Sequence, residues 1–163
     1  MDLSELRHRQ IMIGGPVRAP GRVLLLAAAG CSAAVALLHL AILLMGPPWY
    51  RWFGAPSLAR EIESGSVAGP TLLTLAVAAV FAVWAAYGLS GAGVIGRLPL
   101  LKLGLYAIAT IYVLRGLQVV LEVPAAVRGQ IPARFPVFSA FSALAGVTYL
   151  VGAHFVSPRG ATR

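Results

Sequence analysis

Acidic side chains are scarce in this 163-residue chain: there are five, against thirteen basic ones. Charged residues make up only 11% of the sequence, less than half the roughly one-quarter share of soluble domains, while apolar residues reach 59%. That balance excludes an ordinary soluble fold. Cysteine is almost missing as well. With Cys31 alone there is no internal disulfide, no Cys-x-x-Cys redox pair and no cysteine-built zinc cage. His39 has no second histidine three or four residues away, and by helix rise it lies about 20 Å in depth from His154. Neither a metal site nor a two-histidine haem site is expected, and no cofactor is implied.

Lysine is nearly absent too, with Lys102 beside twelve arginines. The formal charge of +8 suggests a nucleic-acid partner at first sight. However, the basic residues are spread over tails and loops rather than gathered on one element. Membrane topology accounts for them better, and no nucleic-acid partner is expected.

What the chain does have is four long apolar runs. Val23 to Met45, 67–89, 98–123 and 135–156 are each long enough, at about 1.5 Å per residue, to cross a bilayer core of about 30 Å. The reading is an all-α fold: a transmembrane four-helix bundle in residues 23–156, between a basic tail at 1–22 and a C-terminal tail at 157–163. Within the first tail, Ser4 to Met12 predicts a short helix. Gly46-Pro47-Pro48 ends the first span, because proline has no amide proton to continue the ladder. Trp49, Tyr50, Trp52 and Phe53 then form an aromatic belt around Arg51, as where a chain leaves hydrocarbon. Ser57 is placed to cap a short interfacial helix from Leu58 to Ser64, stopped by Gly65. Pro124 and Pro132 place a loop between the third and fourth spans.

Orientation follows from Lys and Arg near the spans. The two tails and the second loop with its flank hold eight, and the first and third loops hold four. Both termini are therefore expected on the cytoplasmic side, in a bacterial inner membrane if the Arg-, Ala- and Gly-rich composition reflects a high-GC genome.

One candidate site emerges from depth. His39 lies about 24 Å into span one and Arg115 about 25 Å into span three, by helix rise. Spans one and three run the same way, so the two residues share a level. Arg115, Gln118 and Glu122 follow at steps of three and four, which puts them on one helical face. Thr71, Thr74, Ser139 and Ser142 belong to the same half of the bundle, and the loop helix brings Glu61 and Glu63 there. An Arg at mid-bilayer costs about 2.5 to 3.5 kcal/mol on insertion scales, so it faces the bundle and takes a partner.

Two readings stand side by side. In one, His39, Glu61, Glu63, Arg115, Gln118 and Glu122 form a polar cup that binds a small anionic or lipidic molecule. In the other, Arg115 snorkels or pins the loop helix through an ion pair, and His39 bonds to a carbonyl or hydroxyl. Binding or transport leads. An accessory subunit or assembly factor of a larger membrane complex, and an acid/base enzyme using His39 with a carboxylate, remain as alternatives. Apart from the bilayer, the partners to consider are such a ligand, a second copy of the chain or a larger complex. Small residues at Gly30, Ala33, Ala34, Gly88, Gly91, Gly104 and Gly146 favour close helix approach.

The stretches His39-Leu40, Gly46 through Ala55, Glu63-Ser64-Gly65-Ser66 and Leu89-Ser90-Gly91-Ala92-Gly93 resemble small uncharacterised four-helix bacterial integral membrane proteins. The resemblance implies the topology and draws attention to the first loop. It implies no catalytic residue.

Overall fold

The computed structural model describes residues 19–156. The two tails beyond them, with Arg7, Arg9, Arg18, Arg159, Arg163 and the expected helix from Ser4 to Met12, lie outside the described residues. The chain is all-α. Its elements are α1 (Ala19–Met45), α2 (Pro47–Trp52), α3 (Pro56–Glu63), α4 (Ala68–Gly91), α5 (Leu101–Gly116), α6 (Val119–Val127) and α7 (Arg134–His154). Four helices are long and apolar enough to cross a membrane: Pro20–Met45, Ala68–Gly91, Leu101–Val127 and Arg134–His154. Only 22% to 28% of their most apolar stretches is buried within the chain. A soluble bundle would hide one full face, so most of this apolar surface is left for lipid.

Prolines sit where helices tolerate them. Pro20, Pro70 and Pro136 fall in the first turns of α1, α4 and α7, where the missing N–H has no intrahelical acceptor to reach. Pro47 and Pro48 open a short helix that carries the aromatic belt, since a fixed φ near −65° suits N1. The first loop thus holds two short helices where one was expected. The second, α3, is capped by Ala55 without any side-chain hydrogen bond, not by Ser57. It does end at Gly65. With φ at +94°, Gly65 donates to Ile62 O at 3.1 Å while Ser66 donates to Glu61 O at 2.9 Å, a Schellman pair that needs the left-handed region glycine enters freely.

The third span departs furthest from expectation. It begins at Leu101, after Leu100 in the left-handed region at φ 50°, and it is interrupted at Leu117 and Gln118. There an i→i−4 bond, Leu117 to Val113, is followed by i→i−3 bonds, Val120 to Leu117 and Leu121 to Gln118, before i→i−4 bonding resumes with Glu122 to Gln118. Helical structure then continues through Pro124 to Val127. Gly116, just before the interruption, is one of the residue types at which helices bend.

The described residues form two compact units, one from 30–85 and one from 19–29 with 86–156. In the first, Ile42, Tyr50 and Ala59 are the core, with Leu38, Phe53, Leu58 and Ile62 packed on it. In the second, α5 packs along α7, and Tyr112 stacks on Tyr149 with ring centroids 5.9 Å apart. Close approach is what holds this unit together, because lipid offers no hydrophobic drive between helices. A Cβ on Gly116 would sit 2.5 Å from Ala143 N, and one on Gly146 would sit 2.8 Å from Val113 N. Gly88 lies against Ala29, and Gly91 fits between Leu25 and Leu105. Gly30 is different: a methyl there meets nothing within 4 Å. It packs against no other helix among the described residues. The link between α4 and α5 is tied by Ser90, whose Oγ donates to Gly96 O and accepts from Leu98 N–H, and by Tyr87, which donates to Pro99 O.

Candidate functional site

Hydroxyls inside the spans mostly serve their own helix. Thr74, Thr110, Ser142 and Thr148 each donate to the carbonyl four residues back, which satisfies them where no water reaches. Ser139 makes a different contact. It is fully buried, and its Oγ accepts from Arg115 Nη1 at 2.6 Å. The same nitrogen donates to Gln118 Oε1 at 2.7 Å.

Nη1 carries two protons, and these two bonds use both. Glu122 Oε1 stands 3.8 Å from Nη1, beyond hydrogen-bond length, so the acid compensates the charge without taking a bond. Its other oxygen, Oε2, is buried and has no hydrogen-bond partner among the described residues. A carboxylate oxygen out of water and without a donor is costly. Glu122 is the less exposed partner, at 17% of its side chain, against 42% for Arg115. The hydrogen bonds of the guanidinium to described residues run through Nη1, and the Nε and Nη2 edge makes none.

The interruption at Leu117 and Gln118 falls between Arg115 and Glu122, so the cation is carried by α5 and the acid by α6. The structure therefore brings Arg115, Gln118 and Glu122 together, as their spacing indicated. It adds Ser139 as a direct partner. The available signal for Ser139 was its place near the start of the fourth span in the same half.

His39, Glu61 and Glu63 belong to the other unit, each with its own contacts. His39 Nδ1 donates to Val35 O at 2.8 Å, and the ring stacks on Phe81 at 5.5 Å between centroids. A carbonyl partner fixes the proton on Nδ1, so in the neutral ring Nε2 is an acceptor. Among the described residues no carboxylate is bonded to His39. Glu63 is paired with Arg51, which reaches it from α2. Sequence reading did not link these two, since the turn between α2 and α3 sets the approach. The backbone carbonyl of Glu61 caps the loop helix through Ser64 Oγ and Ser66 N. Among the described residues no group of three His, Cys, Asp or Glu side chains gathers as metal ligands would.

Compared with known proteins, the chain matches no family model, no curated protein and no solved structure.

Proposed function

We propose that this chain is an integral protein of a bacterial inner membrane, with both termini cytoplasmic, that binds a small anionic or lipidic molecule at Arg115. One observation carries the reading. Midway along the span Leu101–Val127, a guanidinium is held by Ser139 and Gln118 through Nη1 alone, while its Nε and Nη2 edge makes no hydrogen bond to described residues and the side chain is 42% exposed. In hydrocarbon such donors need an acceptor, and a planar N–H edge suits a carboxylate or phosphate oxygen pair. Ser139 and Gln118 position the edge, and Glu122 balances the charge when the site is empty.

The test is native mass spectrometry of the detergent-purified protein beside Arg115→Ala and Arg115→Lys, with circular dichroism to confirm equal helix content. Wild type retains an anionic adduct, Arg115→Ala loses it, and Arg115→Lys, a point charge without the planar edge, keeps it weakly. Identical adducts on wild type and Arg115→Ala overturn the reading. A co-purifying protein whose retention is indifferent to Arg115→Ala would replace it with an accessory role in a larger complex.

A further inference from the structure

We propose that the ligand of this site is an aliphatic monocarboxylic acid that enters in its neutral form and hands its proton to Glu122. The proposal rests on the reading of Arg115 as an anion-binding residue, and three observations take it further.

The first is depth. Arg115 is fourteen residues from Leu101 and twelve from Val127, about 21 Å and 18 Å of helix from the two ends. It lies at the level of the hydrocarbon core, which is about 30 Å thick. Phosphodiester headgroups stay at the interface, whereas a carboxylic acid without charge passes through the core.

The second is charge. Arg115 and Glu122 together are neutral. A permanent anion added to them leaves a net negative site at mid-membrane, which is expensive. A weak acid avoids this. The ligand's O–H bond breaks, its carboxylate pairs with Arg115, and the proton forms a new O–H bond on Glu122. No carbon bond changes, no electron is transferred, and the site is neutral before and after.

The third is Glu122 itself. Its Oε1 is 3.8 Å from Arg115 and without a hydrogen bond from it, and its Oε2 is buried with no partner among the described residues. This acid is attached to the cation by charge alone, and it has an oxygen free to receive a proton. On the same turns as Arg115 and Glu122, Leu114, Leu117 and Leu121 are 60%, 57% and 76% exposed, apolar surface along which an alkyl chain can lie as a lipid chain does.

The salt-bridge partner of Glu122 is Arg115. The other charged or titratable groups on the elements packed here are Lys102, Tyr106 and Tyr112 on α5 and Arg134, Tyr149 and His154 on α7, with Arg128 at the end of α6. Tyr112 and Tyr149 are buried against each other, Arg134 lies over Phe135, and Arg128 bonds Gln130.

The experiment titrates the purified full chain in a nonionic detergent with decanoic acid, decane sulfonate and decanol between pH 5.5 and 8.5, in buffers of differing ionisation enthalpy. Above the pKa of the free acid, apparent affinity for decanoate falls about tenfold per pH unit, as one proton taken up per anion requires. Calorimetry across the buffers counts that proton on the wild-type protein itself, so no variant needs to fold for the proposal to be judged. Decane sulfonate binds at least tenfold more weakly, and decanol does not compete. In Glu122→Gln, decanoate binding loses its pH slope and decane sulfonate binds as well as decanoate.

Decanoate binding to wild type without proton uptake, or an unchanged slope in Glu122→Gln, overturns the proton exchange. Preference for decane sulfonate, or for vesicles of anionic phospholipid over decanoate, overturns the ligand class. In these cases, loss of binding in Arg115→Ala shows that the anion site itself stands. Decanoate binding that Arg115→Ala leaves untouched removes both.

Discussion

Tyr50 donates its hydroxyl proton to Thr74 Oγ1 at 2.7 Å, and the direction of that bond is fixed by Thr74, whose own proton goes to Pro70 O at 2.8 Å. Both side chains are buried, and the bond ties the short helix after the first span to the start of α4. Tyr50→Phe removes one bond and leaves Thr74 donating as before, at a loss of about 1 kcal/mol. Thr74→Val instead strands a buried phenolic O–H, which adds about 1 to 3 kcal/mol for the unsatisfied donor. Thermal unfolding in detergent should therefore rank wild type above Tyr50→Phe and Tyr50→Phe above Thr74→Val. The double variant should unfold close to Thr74→Val or above it. Equal effects of the two single changes would contradict the assigned direction.

Gly116 and Gly30 make a matched pair. A Cβ at 116 would lie 2.5 Å from Ala143 N and 2.6 Å from its Cα, and backbone atoms cannot step aside, whereas at 30 it meets no described residue within 4 Å. Gly116→Ala is expected to lose about 1 to 3 kcal/mol by overpacking. Gly30→Ala gains up to about 1 kcal/mol from helix propensity. Opposite shifts in melting temperature check both at once.

Ser139→Ala removes one of two fixed bonds to the Arg115 guanidinium. A hydrogen bond to a charged group is worth about 1.5 kcal/mol at the low end, and stability should fall by that amount. Ser139→Thr keeps an acceptor oxygen and should recover part of the loss. If alanine and threonine behave alike, the hydroxyl does not hold the arginine.

Topology is open to labelling because Cys31 is the sole cysteine. On a Cys31→Ser background, Ser57→Cys and Gln130→Cys should react with a membrane-impermeant maleimide added to intact cells. Gly96→Cys should react only after the membrane is opened. Four crossings require the first two to agree and the third to differ; reaction of Gly96→Cys alone from outside would invert the proposed orientation.

The spans were legible because length and apolar composition are sums over many residues, so Met45 as the end of the first and Gly65 as the stop of the loop helix follow from local chemistry. Where one residue type serves two purposes, the reading diverged. Pro47 and Pro48 break one helix and open the next, and Pro124 is carried inside α6 instead of ending the span. The interruption at Leu117 and Gln118 has no local sign beyond Gly116, whose close approach to Ala143 of another helix is a tertiary contact. In the candidate site, Arg115, Gln118 and Glu122 were visible as a three-and-four spacing, which is intrahelical geometry. The bond from Arg115 to Ser139 and the pairing of Arg51 with Glu63 are tertiary, and no periodicity encodes them.

That interruption has a mechanical side. On an unbroken helix two side chains seven residues apart are fixed about 10 Å apart along the axis, and only rotamers alter their separation. Arg115 and Glu122 ride on α5 and α6, either side of the turn at Leu117 and Gln118, so the gap between cation and acid also depends on the backbone of those two residues.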